Sequence, residues 1–417
     1  MTLAEDALVW AHREEWGRLL ALLVARHRRL DLAEDALADA FEAAARTWPR
    51  DGIPTNRAAW LLTAARRRAL DRLRAEAVQA RTAPLLAIDA HLQEQAQGVM
   101  ADPGDLAVID ERLRLVLLAA HPALAPESAA ALTLRLVLGV STADLARLFL
   151  VSEPTMAARL TRARKKLATA GVAFVVPERE ELAGRLEVFA TIAYLAFTAG
   201  YAPGSGPDVV CVDLAGEAIR LVRLVRELAP DAALDALLAL MLLHHSRRAA
   251  RLDADGRLVL LPDQDRSRWR HDEIGEALAL LTPLASPVDG GRGREWQLQA
   301  SIAACHATAP TAGQTDWRQI ADLYAALEAA TGSPVVRLNR AVAVAEAQGP
   351  EDGLAILVGV AERLPNSHRV PAVEAELLAR CGRWDAARAA YRRAIGLCGN
   401  DVEREHLMRR LELAAPR

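Results

Sequence analysis

Apolar positions along this chain recur at the three-and-four spacing of α-helices. In DLAEDALADAFEAAARTW (31–48), Leu37, Phe41 and Ala44 or Ala45 share one face and Trp48 extends it. An Asp N-cap and further acids in the first turn suit the positive end of the helix dipole. PRDGIP (49–54) stops this helix, and NRAAWLLTAARRRALDRLR (56–74) begins another. From about Ala75 to Asp105 the pattern weakens, and GVMADPGD (98–105) reads as linker. A compact helical block follows from Ile109 to about Gly171, and VVPERE (175–180) separates it from a long helical region. GYAPGSGPD (200–208), LDADGR (252–257) and SPVDGGRGR (286–294) punctuate that region. Its last stretch, AELLARCGRWDAARAAYRRAIGLC (375–398), predicts two helices joined by CGRWD, with Ala386, Ala387, Ala390 and Ala394 allowing close packing. That is the logic of a tetratricopeptide hairpin, although no clean 34-residue repeat runs through the region. The pattern predicts an all-α protein with a degenerate helical-repeat domain at its C-terminal end.

At 417 residues the chain is long enough for two or three domains. Hydrophobic residues make up 52% and aromatics only 4%, so alanine- and leucine-rich helices carry the core. A net charge of −3 gives no global attraction to nucleic acid, but the charge is uneven. Thr55 to Arg81 holds seven Arg against two acids, and Arg159 to Lys166 holds five basic residues and no acid. Cys211, Cys305, Cys381 and Cys398 form no CxxC and read as reduced, packed thiols. The apolar stretch 236–243 is too short to span a bilayer and the N-terminus has no signal-peptide pattern, so a cytoplasmic protein is expected.

The most informative segment is GVSTADLARLFLVSEPTMAARLTRARKKL (139–167). Ser141 is placed to cap a short helix whose inner face is Leu145, Ala146, Leu148 and Phe149. Ser152 then caps a second helix with Pro154 in its first turn and Met156, Leu160, Ala163 and Leu167 facing inward. This is helix-turn-helix spacing, in which the start of the second helix enters the major groove. Thr155, Ala158, Arg159 and Arg162 point outward, with Arg164, Lys165 and Lys166 at the far end.

With these two basic blocks in this order, the sequence resembles the extracytoplasmic-function (ECF) sigma factors of bacterial RNA polymerase. AEDALADAFEAAARTW followed by NRAAWLLTAARRRALDRLR is similar to region 2, and LTLRLVLGVSTADLARLFLVSEPTMAARLTRARKKL to region 4. YLAFTAGY (194–201), EAIRLVRL (217–224), LHHSRRAARLDADGRLVLLPDQDRSRW (243–269), TDWRQIADLY (315–324) and VVRLNRAVAVAE (335–346) resemble the subgroup with a long tetratricopeptide-like C-terminal extension. The implied organisation is region 2 at 1–76, a linker at 77–107, region 4 at 108–172 and the extension at 178–417.

The resemblance implies roles residue by residue. Glu34, Asp35, Ala38, Asp39 and Phe41 would face core RNA polymerase, at its β′ clamp helices, with the β flap as the partner of region 4. Asn56, Trp60, Arg66, Arg67, Arg68, Arg72 and Arg74 would handle the minus-10 element, through phosphate attraction and base stacking. The family commonly has Asn where Arg67 stands. Arg135, Ser152, Pro154, Thr155, Ala157, Ala158, Arg159, Thr161, Arg162, Lys165 and Lys166 would meet the minus-35 element of promoter DNA. Relatives often carry a basic residue at 157, so the Ala here removes one contact. The resemblance implies no catalytic residue, cofactor or metal, and no membrane partner. It offers a small DGPF (YCII-like) protein, or another protein regulator, as partner of the extension.

One motif is left over. In DQDRSRW (263–269), Asp263, Asp265, Arg266, Arg268 and Trp269 follow SRRAAR, with Arg247, Arg248 and Arg251. Opposite charges on consecutive segments predict a partly buried ion-pair network under Trp269. A metal or acid/base enzyme site built from His244, His245, Asp263 and Asp265 is disfavoured, because adjacent rings on a helix diverge by about 100°. The alternative function is an autonomous helix-turn-helix regulator whose helical domain senses a ligand or protein, in which region 2 would have no task.

Overall fold

In the computed structural model the described residues are 3–79, 105–149, 151–170, 179–201, 214–253, 259–285, 288, 291–399 and 401–414; they lie in helices or in the connections between helices, and the fold is all-α. The linker expected around 77–107 lies largely outside them, as do most of GYAPGSGPD and LDADGR and part of SPVDGGRGR. The chain divides into two compact units, Met1–Asp231 and Ala232–Arg417.

The first unit contains α1 (Leu3–His27), α2 (Leu30–Asp51), α3 (Arg57–Gln79), α4 (Asp105–Ala119), α5 (Pro126–Leu138), α6 (Thr142–Leu148), α7 (Glu153–Thr169), α8 (Arg179–Tyr201) and α9 (Leu214–Leu228). Its centre is α5, whose residues Ala129 to Leu134 and Leu136 to Leu138 are all buried, so this helix has no polar face to give to water. Helices α1, α4, α6, α7, α8 and α9 cover it. Gly139, at φ +72°, ends it in the left-handed conformation, and a Cβ there would also lie 2.8 Å from His12 and Trp16. The approach of α1 is closer still: a Cβ on Gly17 would sit 2.2 Å from the Val137 carbonyl oxygen.

One local expectation changes. Asp31 lies inside the first turn of α2 and pairs with Arg29 at 2.9 Å, while Arg29 itself occupies the N-cap position. PRDGIP ends α2 as expected, with Pro49 itself accommodated in the last turn. The buried Trp48 holds that turn in the core, and the helix runs to Asp51 and ends at Gly52, φ +90°.

The sequence reading starts the C-terminal domain at 178, whereas the packing keeps α8 and α9 with the first unit. Leu186, Phe189, Ala193 and Phe197 of α8 are buried, α8 packs on α5, and α9 packs on α4, α5 and α8. Arg185 also donates to the Leu117 carbonyl at 2.7 Å. The two helices complete a core that the helix-turn-helix block alone leaves open.

The second unit contains α10 (Ala232–His245), α11 (His271–Leu281), α12 (Gly291–Thr308), α13 (Trp317–Thr331), α14 (Pro334–Ala347), α15 (Pro350–Leu357), α16 (Val360–Arg363), α17 (Arg369–Arg380), α18 (Trp384–Leu397) and α19 (Asp401–Leu413). Helix α10 is buried from Ala236 to Leu243 and is covered by α11 and α12. From α13 onward each longer helix packs chiefly on its sequence neighbours, the arrangement of a helical-repeat domain. The CGRWD turn joins α17 to α18 as expected, with Gly382 at φ +73°. Ala387, Ala390 and Ala394 are buried in that pair, while Ala386 faces out.

Gly17→Ala should overpack the α1–α5 crossing and destabilise the chain by about 1–3 kcal/mol. Urea unfolding checks this, and an unchanged midpoint would show that the two backbones are free to separate.

Candidate nucleic-acid interface

Helices α6 and α7 form the second and third parts of the helix-turn-helix block on the scaffold of α5. Ser141 caps α6 by accepting from the Asp144 amide at 3.0 Å, and Ser152 caps α7 by accepting from the Thr155 amide at 3.4 Å. Met156, Leu160, Ala163 and Leu167 are buried. Of the α6 face, Leu145 and Ala146 are buried while Leu148 and Phe149 are half-buried, with Arg159 stacked over the Phe149 ring at 5.9 Å. The polar face of α7 is open: Ser152, Pro154, Thr155, Ala157, Ala158, Thr161, Arg162, Lys165 and Lys166 are exposed along it. Arg162 donates to the Ala158 carbonyl at 3.2 Å, which lays its guanidinium along the helix surface.

Two cations of this block, Arg164 of α7 and Arg135 of α5, point away from that face. Arg164, expected at the outward basic end, turns inward and donates to Glu34 at 2.6 Å. Arg135 donates to the other Glu34 oxygen at 2.7 Å and to the Val140 carbonyl at 3.2 Å. Glu34, only 6% exposed, is therefore held between guanidiniums from α5 and α7. Beside it His12, Trp16 and Phe41 cluster at ring distances of 4.9 to 5.7 Å, and Arg135 lies over Trp16. Burial, and then the Arg135 charge, push the His12 pKa down, so its ring packs neutral in this cluster.

Of the five residues expected to face polymerase, Asp35, Ala38 and Asp39 are therefore accessible on α2, while Glu34 and Phe41 point into the unit. Arg72 donates to Asp35 at 2.6 Å and to Asp39 at 2.8 Å, tying a residue assigned to DNA to two assigned to polymerase. Asn56 caps α3, accepting from the Ala59 amide at 2.9 Å. Trp60 is half-buried edge-on to Trp48 at 5.8 Å, a core contact that leaves part of the indole open. Arg67, Arg68 and Arg74 are exposed on α3, and Arg74 lies 3.9 Å from Asp71. Arg66 is half-buried, its pKa lowered by burial and then by Arg26. His27 is lowered by burial, Arg26 and Arg66. Arg26 and His27 thus extend the arginine face of α3, and sequence reading missed them because α1 joins it only through tertiary packing.

The DQDRSRW network takes a different form from the one expected. Asp263, Asp265 and Arg268 are exposed, and Asp265 accepts from the amide and hydroxyl of Ser267, capping the turn Arg266–Arg268. Arg266 instead reaches across 40 residues to the carbonyls of His306 and Ala309, at 2.7 and 2.8 Å, and lies over the buried Trp269 ring at 4.4 Å. The partly buried acid of this region is Glu273, which accepts from Arg248 at 3.0 Å and faces His245 Nδ1 at 3.0 Å. Sequence counting paired the nearest opposite charges, whereas α11 returns a more distant carboxylate to the end of α10.

The sigma-70 region 4 family matches residues 114–167, which takes in part of α4 and all of α5 and α6 and most of α7. A family of unknown function, DUF6596, matches residues 185–285. An uncharacterized protein of Rhizobium meliloti (strain 1021) is 41% identical over 408 residues, covering 97% of this chain and 94% of its own. Among solved structures, the TPR domain of P58(IPK) aligns over 93% of this chain and 100% of its own at 14% identity, with a TM-score of 0.26, a likeness too low to carry an argument.

Two outcomes test this geometry. A Glu34→Ala, Arg135→Ala double-mutant cycle should give a coupling of about 0.5–3 kcal/mol in urea unfolding, because loss of Glu34 leaves both guanidiniums without their acid while loss of Arg135 leaves the buried carboxylate with Arg164 alone; additive losses would remove the fork. Arg266→Ala should destabilise the chain by about 1–3 kcal/mol, since it leaves the α12 carbonyls without their donor. Asp265→Asn, at the exposed turn, should leave the melting temperature nearly unchanged, and equal losses from both would restore the ion-pair network.

Proposed function

The chain belongs to the family of the Rhizobium meliloti protein and carries a sigma-70 region 4, and from that premise we propose that it is an extracytoplasmic-function sigma factor. In this reading it binds core RNA polymerase in the cytoplasm, recognises minus-35 and minus-10 promoter elements, and starts transcription, with the helical-repeat unit modulating it. The observation that carries the proposal is the open face of α7. A serine-capped helix presents small and hydroxylated residues at its start and Arg162, Lys165 and Lys166 further along, inside the segment that matches region 4. Small residues at a helix start let the backbone come close to base edges, and the cations that follow meet phosphates.

Each face then has a task. Asp35, Ala38 and Asp39 dock on the β′ clamp helices, and the α6–α7 block meets the β flap. Arg66, Arg67, Arg68 and Arg74, joined by Arg26, attract the melted strand, and the open part of Trp60 offers a surface for a base. Arg135 contributes to DNA only once it leaves Glu34, so promoter engagement separates α2 from the helix-turn-helix block. The polymerase performs the chemistry, and this chain supplies promoter choice and melting. A DGPF-like protein or another regulator is a partner for the second unit.

The first test is co-purification of the tagged chain with core RNA polymerase, followed by mapping of the promoters it selects. Recovery of DNA binding without polymerase would support an autonomous regulator instead. On a selected promoter, Arg162→Ala should cost ~1–3 kcal/mol and relax preference at one base pair. Lys165→Ala should weaken all sequences alike and lower the salt slope by about 1. A uniform loss from Arg162→Ala would remove that residue from base readout.

A further inference from the structure

A cavity of about 400 Å³ lies inside the second unit, walled by the end of α10, by α12 and α13, and by the start of α14. That volume falls within the range of small-molecule sites. Ile302, Leu327, Val335 and Val336 give it an apolar wall, and His244, Arg247 and His306 a nitrogen-rich one. Gln299, Tyr324 and Asn339 also line it, and their side chains make no hydrogen bond among the described residues. Among the described residues no Asp or Glu lines the cavity.

Its electrostatics are one-sided. Burial, and then the charges of Arg247 and Arg251 with His306 beside them, drive His244 down to about 3. Burial, then Arg247 and Arg266, drive His306 down to about 4. Arg266 is lowered as well, by burial and by Arg247. Burial is the larger cause and the arginine charges add to it, so both imidazoles are neutral and the cationic group on this wall is the Arg247 guanidinium. The DQDRSRW motif has its part in this, because Arg266 on the His306 and Ala309 carbonyls fixes the end of α12 that forms one wall.

We propose that this cavity binds a small organic anion whose carboxylate or phosphate meets Arg247 and whose apolar part lies on Ile302, Leu327 and Val336. Gln299, Tyr324 and Asn339 supply the remaining hydrogen bonds and orient the ligand. The site is independent of the sigma-factor reading, since no promoter or polymerase contact enters the argument.

Benzoate, phenyl phosphate and the neutral benzyl alcohol serve as probes, titrated by calorimetry into the full chain and followed by its melting temperature. At least one anion should bind saturably and raise the melting temperature, with benzyl alcohol at least tenfold weaker, and the preferred anion identifies the head group. Arg247→Gln should weaken the anion at least tenfold. Because Arg247 also lies 3.2 Å from His244 Nδ1 and its loss can disturb the fold, Ala303→Phe provides a second variant, which fills the cavity and should abolish binding in a chain that still melts cooperatively. Failure of both anions to bind at millimolar concentration would overturn the proposal. So would equal binding of benzyl alcohol, or anion binding that survives Ala303→Phe.

Discussion

A helix without a polar face must be covered on every side, and α5 imposes that constraint on the first unit. Thirteen residues long and buried along most of its length, it would expose apolar surface in any arrangement that left one flank open. Helix α1 closes one flank through the glycine at 17, α8 and α9 close others, and α7 lies across it. Once these helices are in place, Glu34 of α2 comes within reach of Arg135 on α5 and Arg164 on α7. The ion-pair fork is thus a consequence of apolar coverage. Its contribution is specificity of placement more than net stability, since burying a carboxylate offsets much of what two guanidiniums return.

What was legible in the sequence followed from local rules. The caps at Ser141 and Ser152, the inward set from Met156 to Leu167 and the all-helical pattern were readable because each depends on residues within one or two turns. The inward turn of Arg164 was not, because its partner lies 130 residues away. The same limit applies to the end of the first unit. VVPERE carries every local sign of a boundary, yet the apolar face of α8 finds its partner before it, on α5, and α9 follows. The end of α2 within PRDGIP was legible, because Gly52 supplies the positive φ that a local pattern of Pro, Asp and Gly announces.

DQDRSRW shows how charge counting fails where side-chain reach decides. Four charged residues in seven positions suggested pairs among themselves and with SRRAAR. Arg266, the one that matters most to the packing, uses backbone carbonyls as its acceptors, and no pattern of acidic residues could have revealed them. The arginine face around Arg26 and Arg66 escaped notice in the same way, because it is assembled from two helices whose adjacency is tertiary.

The fork at Glu34 also changes what any DNA must compete with. The carboxylate holding Arg135 and Arg164 belongs to the same chain, so it acts at the effective concentration of a tethered ligand, which for linked groups reaches millimolar and does not fall on dilution. A nucleic acid approaching α7 therefore meets an intramolecular rival whose strength is independent of protein concentration. In the proposed reading this lowers the affinity of the reading helix for every sequence by one common factor, and a partner that drew α2 away would remove the rival and restore that affinity for every site at once.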